Sequence, residues 1–107
     1  MQQLDATFSA LSDSTRRAII ARLAEGETTL SDLAAPFDMS LTAVSKHLRI
    51  LAETGLVSIE KRGRTKHCRL IGAPIKDAVD WLGKYEAFWL DRFEALGHHL
   101  AKEASDT

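Results

Sequence analysis

Ser40-Leu41-Thr42-Ala43-Val44-Ser45-Lys46-His47-Leu48-Arg49-Ile50-Leu51 runs on through Ala52-Glu53-Thr54-Gly55-Leu56-Val57 and a basic segment to Leu70. The first part predicts one amphipathic helix. Ser40 has an N-cap side chain, able to accept from a backbone N–H two or three residues on, and Gly55 stands where a helix most easily turns left-handed and ends. At about 100° per residue, Val44, Leu48 and Leu51 share an apolar stripe. Thr42, Ser45, Lys46 and Arg49 fall opposite, and short hydroxyls and cations are the groups that reach base edges and phosphates in a major groove. A solvated helix face has the same composition. The sequence on either side separates the two.

Beyond Gly55 the period changes to two. Val57, Ile59 and Lys61 alternate with Ser58, Glu60 and Arg62; Gly63-Arg64-Thr65 then leads into Lys66-His67-Cys68-Arg69-Leu70. This predicts a β-hairpin with glycine at its tip, too short to be stable unless it packs on the neighbouring helices. Arg62, Arg64 and Lys66 cluster at that tip, where like charges repel unless anions are near, as on a wing riding DNA phosphates or the minor groove. Upstream, Thr29 and Asp32 make an acidic capping box for a short helix through Leu33 and Ala34, which Pro36 stops. Two short helices joined by about four residues, the second cationic outward, form a helix-turn-helix pattern.

The two ends of the chain read as helices. Leu4, Phe8 and Leu11 predict a short one over 3–11, and Ser12-Asp13-Ser14-Thr15 offers caps for another over 14–24, with Ile19, Ile20 and Leu23 inward. Pro74 suits the first turn of a last helix reaching to about Ala104. Around Leu82 this helix gathers Ile75, Ala78, Val79, Tyr85, Trp89, Phe93, Leu96 and Leu100, with Trp81 and Phe88 as a second aromatic edge. One small domain cannot cover so long an apolar face, and the same helix of a second copy is the economical partner. Gly83 and Gly97, beside the stripe, imply close helix approach or a local break. The fold class is mainly α with a small β-hairpin: a winged helix-turn-helix with a long C-terminal dimerisation helix. Residues 1–104 form one domain, with 1–11 and 74–104 as dimerisation helices, 29–54 as the helix-turn-helix, 57–70 as the wing and 105–107 as a tail.

A chain of 107 residues suits one domain with a modest core. The net charge of −1 conceals a strong segregation: residues 40–70 carry +5, whereas 1–39 and 71–107 carry −3 each. A basic centre between acidic flanks is the electrostatic footprint of a phosphate-binding surface, here double-stranded DNA. The apolar runs are too short for a membrane span, residues 1–12 do not resemble a signal peptide, and the single Cys68 excludes an intramolecular disulfide and fits a reducing cytoplasm. No catalytic constellation is present. There is no Gly-rich phosphate loop, HExxH or CxxC, and His67 and Cys68, adjacent in a strand, face opposite sides. His47, on the flank of the apolar stripe, reads equally as a supporting side chain or a DNA neighbour.

The set Ala10-Leu11-Ser12-Asp13-Ser14-Thr15-Arg16-Arg17, Leu33-Ala34, Ser45-Lys46-His47-Leu48-Arg49-Ile50-Leu51 and Gly55-Leu56-Val57 resembles the ArsR (arsenic-repressor) family of winged helix-turn-helix regulators. The resemblance implies a homodimer held by its first and last helices, through Leu4, Phe8, Ile75, Val79, Leu82, Tyr85, Trp89, Phe93, Leu96 and Leu100. It implies repression from an inverted-repeat operator at a promoter, contacted by Ser40, Thr42, Ser45, Lys46, His47, Arg49, Arg62, Arg64 and Lys66, and release by a protein or small-molecule inducer. Soft-metal sensors of that family carry a Cys-x-Cys pair where this chain has Thr29 and Ser31, and the zinc-sensing Asp-x-His becomes Asp77 followed by Val79. The chain therefore resembles the metal-motif-lacking, SdpR-like branch, with no metal or other cofactor expected. The competing reading is an effector sensor with a nonstandard metal or redox site drawn from Cys68, Glu86, His98 and His99. A protein-interaction module without DNA is a third.

Overall fold

In the computed structural model, residues 2–88 and 90–92 are described. The order is α1 (Gln2–Ala10), α2 (Ser14–Leu23), β1 (Thr28–Thr29), α3 (Leu30–Ala34), α4 (Leu41–Glu53), β2 (Val57–Arg62), β3 (Thr65–Leu70) and α5 (Ala73–Gly83). Local chemistry sets the helix starts. The side chains of Asp13, Thr29 and Ser40 accept from the backbone N–H of Arg16, Asp32 and Ala43 at 3.0, 3.2 and 3.1 Å. Each satisfies a donor that the first helical turn leaves unpaired. The segment between α3 and α4 is 35–40, longer than the expected four residues, because Pro36 stops α3 early and α4 waits for its cap at Ser40.

The end of α4 is a Schellman motif. Gly55, at φ +81°, donates to the Ala52 carbonyl at 3.1 Å, and Leu56 donates to that of Leu51 at 3.0 Å. The turn drops Leu56 beside Leu51, and both are fully buried. The core gathers Ile19 and Leu23 of α2, Leu33 of α3, Val44, Leu48 and Leu51 of α4, then Leu56, Val57 and Cys68. The α4 stripe read from the sequence is thus the floor of the molecule.

The expected hairpin belongs to a three-stranded antiparallel sheet of order β1-β3-β2. Thr28 and Thr29 pair with Cys68 and His67, and two residues are too few to show a strand period. Between β2 and β3 only Gly63 and Arg64 turn the chain, with Gly63 at φ +63°, the left-handed first loop position of a tight hairpin. That loop fixes the register: Ile59 opposes Cys68, Lys61 opposes Lys66 and Arg62 opposes Thr65.

The ends of the chain depart from the sequence reading. In α1 the buried residues are Thr7 and Ala10, whereas Leu4 is half-buried and Phe8 is 38% exposed. The hydroxyl of Thr7 donates to the Gln3 carbonyl at 2.9 Å, so a polar residue is buried without an orphaned group. Phe8 instead meets Trp81 edge-on at 5.9 Å, and Trp81 meets Tyr85 at 5.5 Å. On α5 the inward side is therefore Ala78, Ile75 and Trp81, while Val79 and Leu82 at the centre of the expected stripe are 60% and 43% exposed. The helix is also interrupted. Lys84 and Tyr85 donate to the carbonyls three residues back, Trp81 and Leu82, and helix resumes at Glu86. Gly83 thus marks a break, and among the described residues nothing beyond its own helical neighbours lies within 4 Å of a Cβ there. Trp89, Phe93, Leu96, Gly97, His98, His99 and Leu100, with the tail 105–107, lie outside the described residues. No described helix is long and apolar enough to cross a membrane.

At Gly55 a Cβ would meet nothing within 4 Å among the described residues, so the cost of a side chain is backbone strain. Gly55→Ala should lower stability by about 1–2 kcal/mol, read as a lower denaturation midpoint at unchanged m-value.

Candidate nucleic-acid interface

With Val44, Leu48 and Leu51 buried, the opposite side of α4 faces outward. Thr42, Lys46 and Arg49 are exposed and Ser45 half-exposed. A groove of about 390 Å³ runs between this side and the wing, lined by Leu30, Leu41, Thr42, Ser45, Lys46, Arg49 and Lys66. A notch of about 260 Å³ adjoins it, where Arg64, Thr65 and Lys66 of the wing meet Thr29, Leu30 and Ser31. The structure thus brings together six of the expected residues, four on α4 and two on the wing.

Three expected residues stand elsewhere. Ser40 is the helix cap, its oxygen occupied by the Ala43 N–H. His47 points its Nδ1 at Arg16 and Asp13, 3.4 and 3.7 Å away. Arg62 is held by acids: Nη2 donates to Glu60 Oε2 at 2.9 Å, and the guanidinium forks onto both oxygens of Glu27 at 3.4 Å. The like charges at the tip were expected to need anions, and for Arg62 the protein supplies them. The guanidinium holds the Glu60 carboxyl below its usual range, and that carboxylate in turn raises Arg62.

The pleat explains the division. Side chains alternate along a strand, so Lys61 and Lys66 lie on the side of Val57 and Cys68, whereas Arg62, Glu60 and His67 lie on the other. Lys61 is the residue that the sequence reading passed over. It sits directly opposite Lys66, a like-charge pair that destabilises a hairpin unless an anion bridges it. The two-residue loop was the signal, since it alone dictates that register. Among the described residues, none of Lys46, Arg49, Lys61, Arg64 and Lys66 has a carboxylate partner.

Cys68 is fully buried, and that burial pushes its thiol above the ordinary value, away from the reactive thiolate. Thr29 caps α3 with its hydroxyl, and Ser31 is exposed on α3 beside the wing. Among the described residues no group of three or more His, Cys, Asp or Glu is placed to hold a metal ion.

A helix-turn-helix whose outward helix and wing border one cationic groove is the architecture of a DNA-binding transcriptional regulator. Residues 11–60 match the helix-turn-helix domain family. The transcriptional repressor SdpR of Bacillus subtilis (strain 168) is 33% identical over 75 residues, 70% of this chain and 83% of that one. The HTH-type transcriptional regulator Rv2034 of Mycobacterium tuberculosis is 45% identical over 103 residues, 96% of this chain and 94% of that one. The crystal structure of an ArsR family transcriptional regulator, RHA00566, superposes with a TM-score of 0.75 at 39% identity, covering 82% and 91% of the two chains. The solution structure of the homodimeric winged helix-turn-helix domain of Mb0332 from Mycobacterium bovis superposes with a TM-score of 0.64 at 26% identity, covering 87% and 83%. The chain belongs to the ArsR family of winged helix-turn-helix transcriptional regulators.

The pairing of Arg62 has a measurable consequence. Arg64→Ala should lower the slope of log affinity against log salt by about two per dimer on random duplex if each wing touches one phosphate, and Arg62→Ala should leave it within about half a unit. Removing both anions, as Glu27→Gln with Glu60→Gln, should free Arg62 and raise random-duplex affinity.

Proposed function

We propose that the protein is a homodimeric repressor that binds an inverted repeat at a promoter, its own being the first candidate, in the cytoplasm. The observation that carries this reading is that six of the seven cations on α4 and the wing, all but Arg62, form no ion pair among the described residues, in a chain whose net charge is only −1. Thr42, Ser45 and Lys46, near the start of α4, read bases; Arg49, one turn on, holds a phosphate. Arg64, Lys66 and Lys61 bring charge to the backbone beside the groove. Residues 1–104 act as one domain, and a footprint on the DNA upstream of the coding region tests the reading directly.

Dimerisation is supported by the apolar surface that α1 and α5 leave outward. Val79, Leu82 and Tyr85 are 60%, 43% and 47% exposed, and Leu90 beyond the break is 54% exposed. A charge at the centre of that surface should break association without touching the core. Leu82→Asp should weaken dimerisation about tenfold or more in sedimentation and abolish the paired footprint, with the thermal unfolding of the monomer preserved. A wild-type protein that sediments as a folded monomer at micromolar concentration overturns the dimer.

We further propose that derepression follows a protein or small-molecule inducer and not a thiolate-bound metal, as in the SdpR-like branch. Thr29 and Ser31 offer hydroxyls where thiolates would be needed, and Cys68 is buried. Zinc, cadmium and arsenite titrations should leave operator affinity unchanged. Operator release by one tightly bound metal per site reverses this.

A further inference from the structure

His47 is next to Lys46 in the recognition helix, yet it does not line the groove. Its side chain is 23% exposed, and Nδ1 lies 3.4 Å from Nη1 of Arg16 and 3.7 Å from Oδ2 of Asp13, both at the start of α2. Arg16 reaches further still. Its Nε donates to the Ala10 carbonyl at 2.6 Å and its Nη2 to that of Ser9 at 3.4 Å, at the end of α1. One guanidinium therefore touches the helix that packs on α5 and the helix that faces the groove.

The arrangement holds in either state of the ring. Arginine only donates, so a neutral His47 with its proton on Nε2 offers Nδ1 as the acceptor. A charged His47 turns an Nδ1–H toward the Asp13 carboxylate. The Arg16 backbone N–H, foremost, holds that carboxyl below its ordinary range and hence ionised. Both forms bind α4 to the same corner of α2.

We propose that His47 is a positioning residue: through Nδ1 it ties the recognition helix to the corner between α1 and α2 and does not itself contact DNA. Because α1 packs against α5 through Phe8 and Trp81, the orientation of the base-reading side chains is then set from the side of the molecule that carries the apolar surface. The inference rests on the DNA-binding reading above.

Asparagine places an amide oxygen near the position of Nδ1, whereas glutamine reaches that of Nε2, so the two variants separate the ring's two edges. The probes are a duplex selected from a random pool by the wild-type protein and a shuffled duplex of equal length. His47→Asn should keep selected-duplex affinity within about twofold, while His47→Gln and His47→Leu should lose about tenfold, a typical worth for one misplaced base contact. Affinity for the shuffled duplex and its salt slope should not move. Glutamine is the better helix former, so this order cannot arise from helix propensity. In an Arg16→Ala background the difference between asparagine and glutamine should vanish. Retention by glutamine with loss by asparagine, or a salt slope lowered by about two per dimer, would mean a direct DNA contact and overturn the proposal. A second readout needs no DNA: in the folded wild-type protein the ¹⁵N shifts of a neutral His47 should report the Nε2–H tautomer, and an Nδ1–H tautomer overturns the inference even if a variant fails to fold. If the wild-type protein selects no sequence, the DNA-binding reading itself fails and the inference falls with it.

Discussion

Val44, Leu48 and Leu51 lie under the recognition helix at 0, 1 and 0% exposure, and the orientation of everything functional follows from that seat. Each such side chain contributes about 1.5–3 kcal/mol of burial, so turning α4 about its axis would be unaffordable for a small domain. With the apolar side down, Thr42, Ser45, Lys46 and Arg49 must face out. The Schellman turn then passes the chain from Leu51 to Leu56 and Val57 within the same core, so β2 starts from an anchored point. Helix and wing are held by one packing arrangement, and their separation defines the groove.

Charge is distributed on that frame by the pleat of the hairpin. Lys61 and Lys66 oppose each other on the side of the core, while Arg62 turns to the far side and is neutralised by Glu27 and Glu60. Arg62 is thereby neutralised away from the groove, while Arg64 and Lys66, in no ion pair among the described residues, stand at the edge bordering the recognition helix. A like-charge pair across a hairpin opposes folding, and a passing phosphate backbone relieves it. A surface of this kind suits a protein that must bind DNA through a few cations while its overall charge stays near neutral.

The opposite end of the molecule is organised by aromatic contact. Trp81 packs between Phe8 and Tyr85, which rotates α5 so that Ala78 is buried and Val79 and Leu82 look outward. The break comes at Gly83, a residue of low helical preference, placed where no neighbour among the described residues packs against it. The apolar area left outward lies on the same helix that grips α1. Arg16 in turn connects α1 to His47 of the recognition helix.

The starts of α2, α3 and α4, the Gly55 stop, the α4 stripe and the hairpin were legible in the sequence because each depends on residues within a few positions of one another. Ser40 caps a donor three residues on, and the alternation from Val57 to Leu70 needs only the period of a strand. Six of the nine residues expected at the DNA surface meet at the groove and its notch for the same reason: they share a helix face or a hairpin. What only the tertiary structure decided involves partners far apart in the chain. Arg62 meets Glu27 across 35 positions and His47 meets Arg16 across 31, so neither pairing leaves a periodic trace. Likewise β1 exists only because β3 offers it a free edge, and the side of α5 that is buried was chosen by Phe8. Local preference specifies which elements form; which of their polar and apolar groups remain available depends on what the folded chain sets against them.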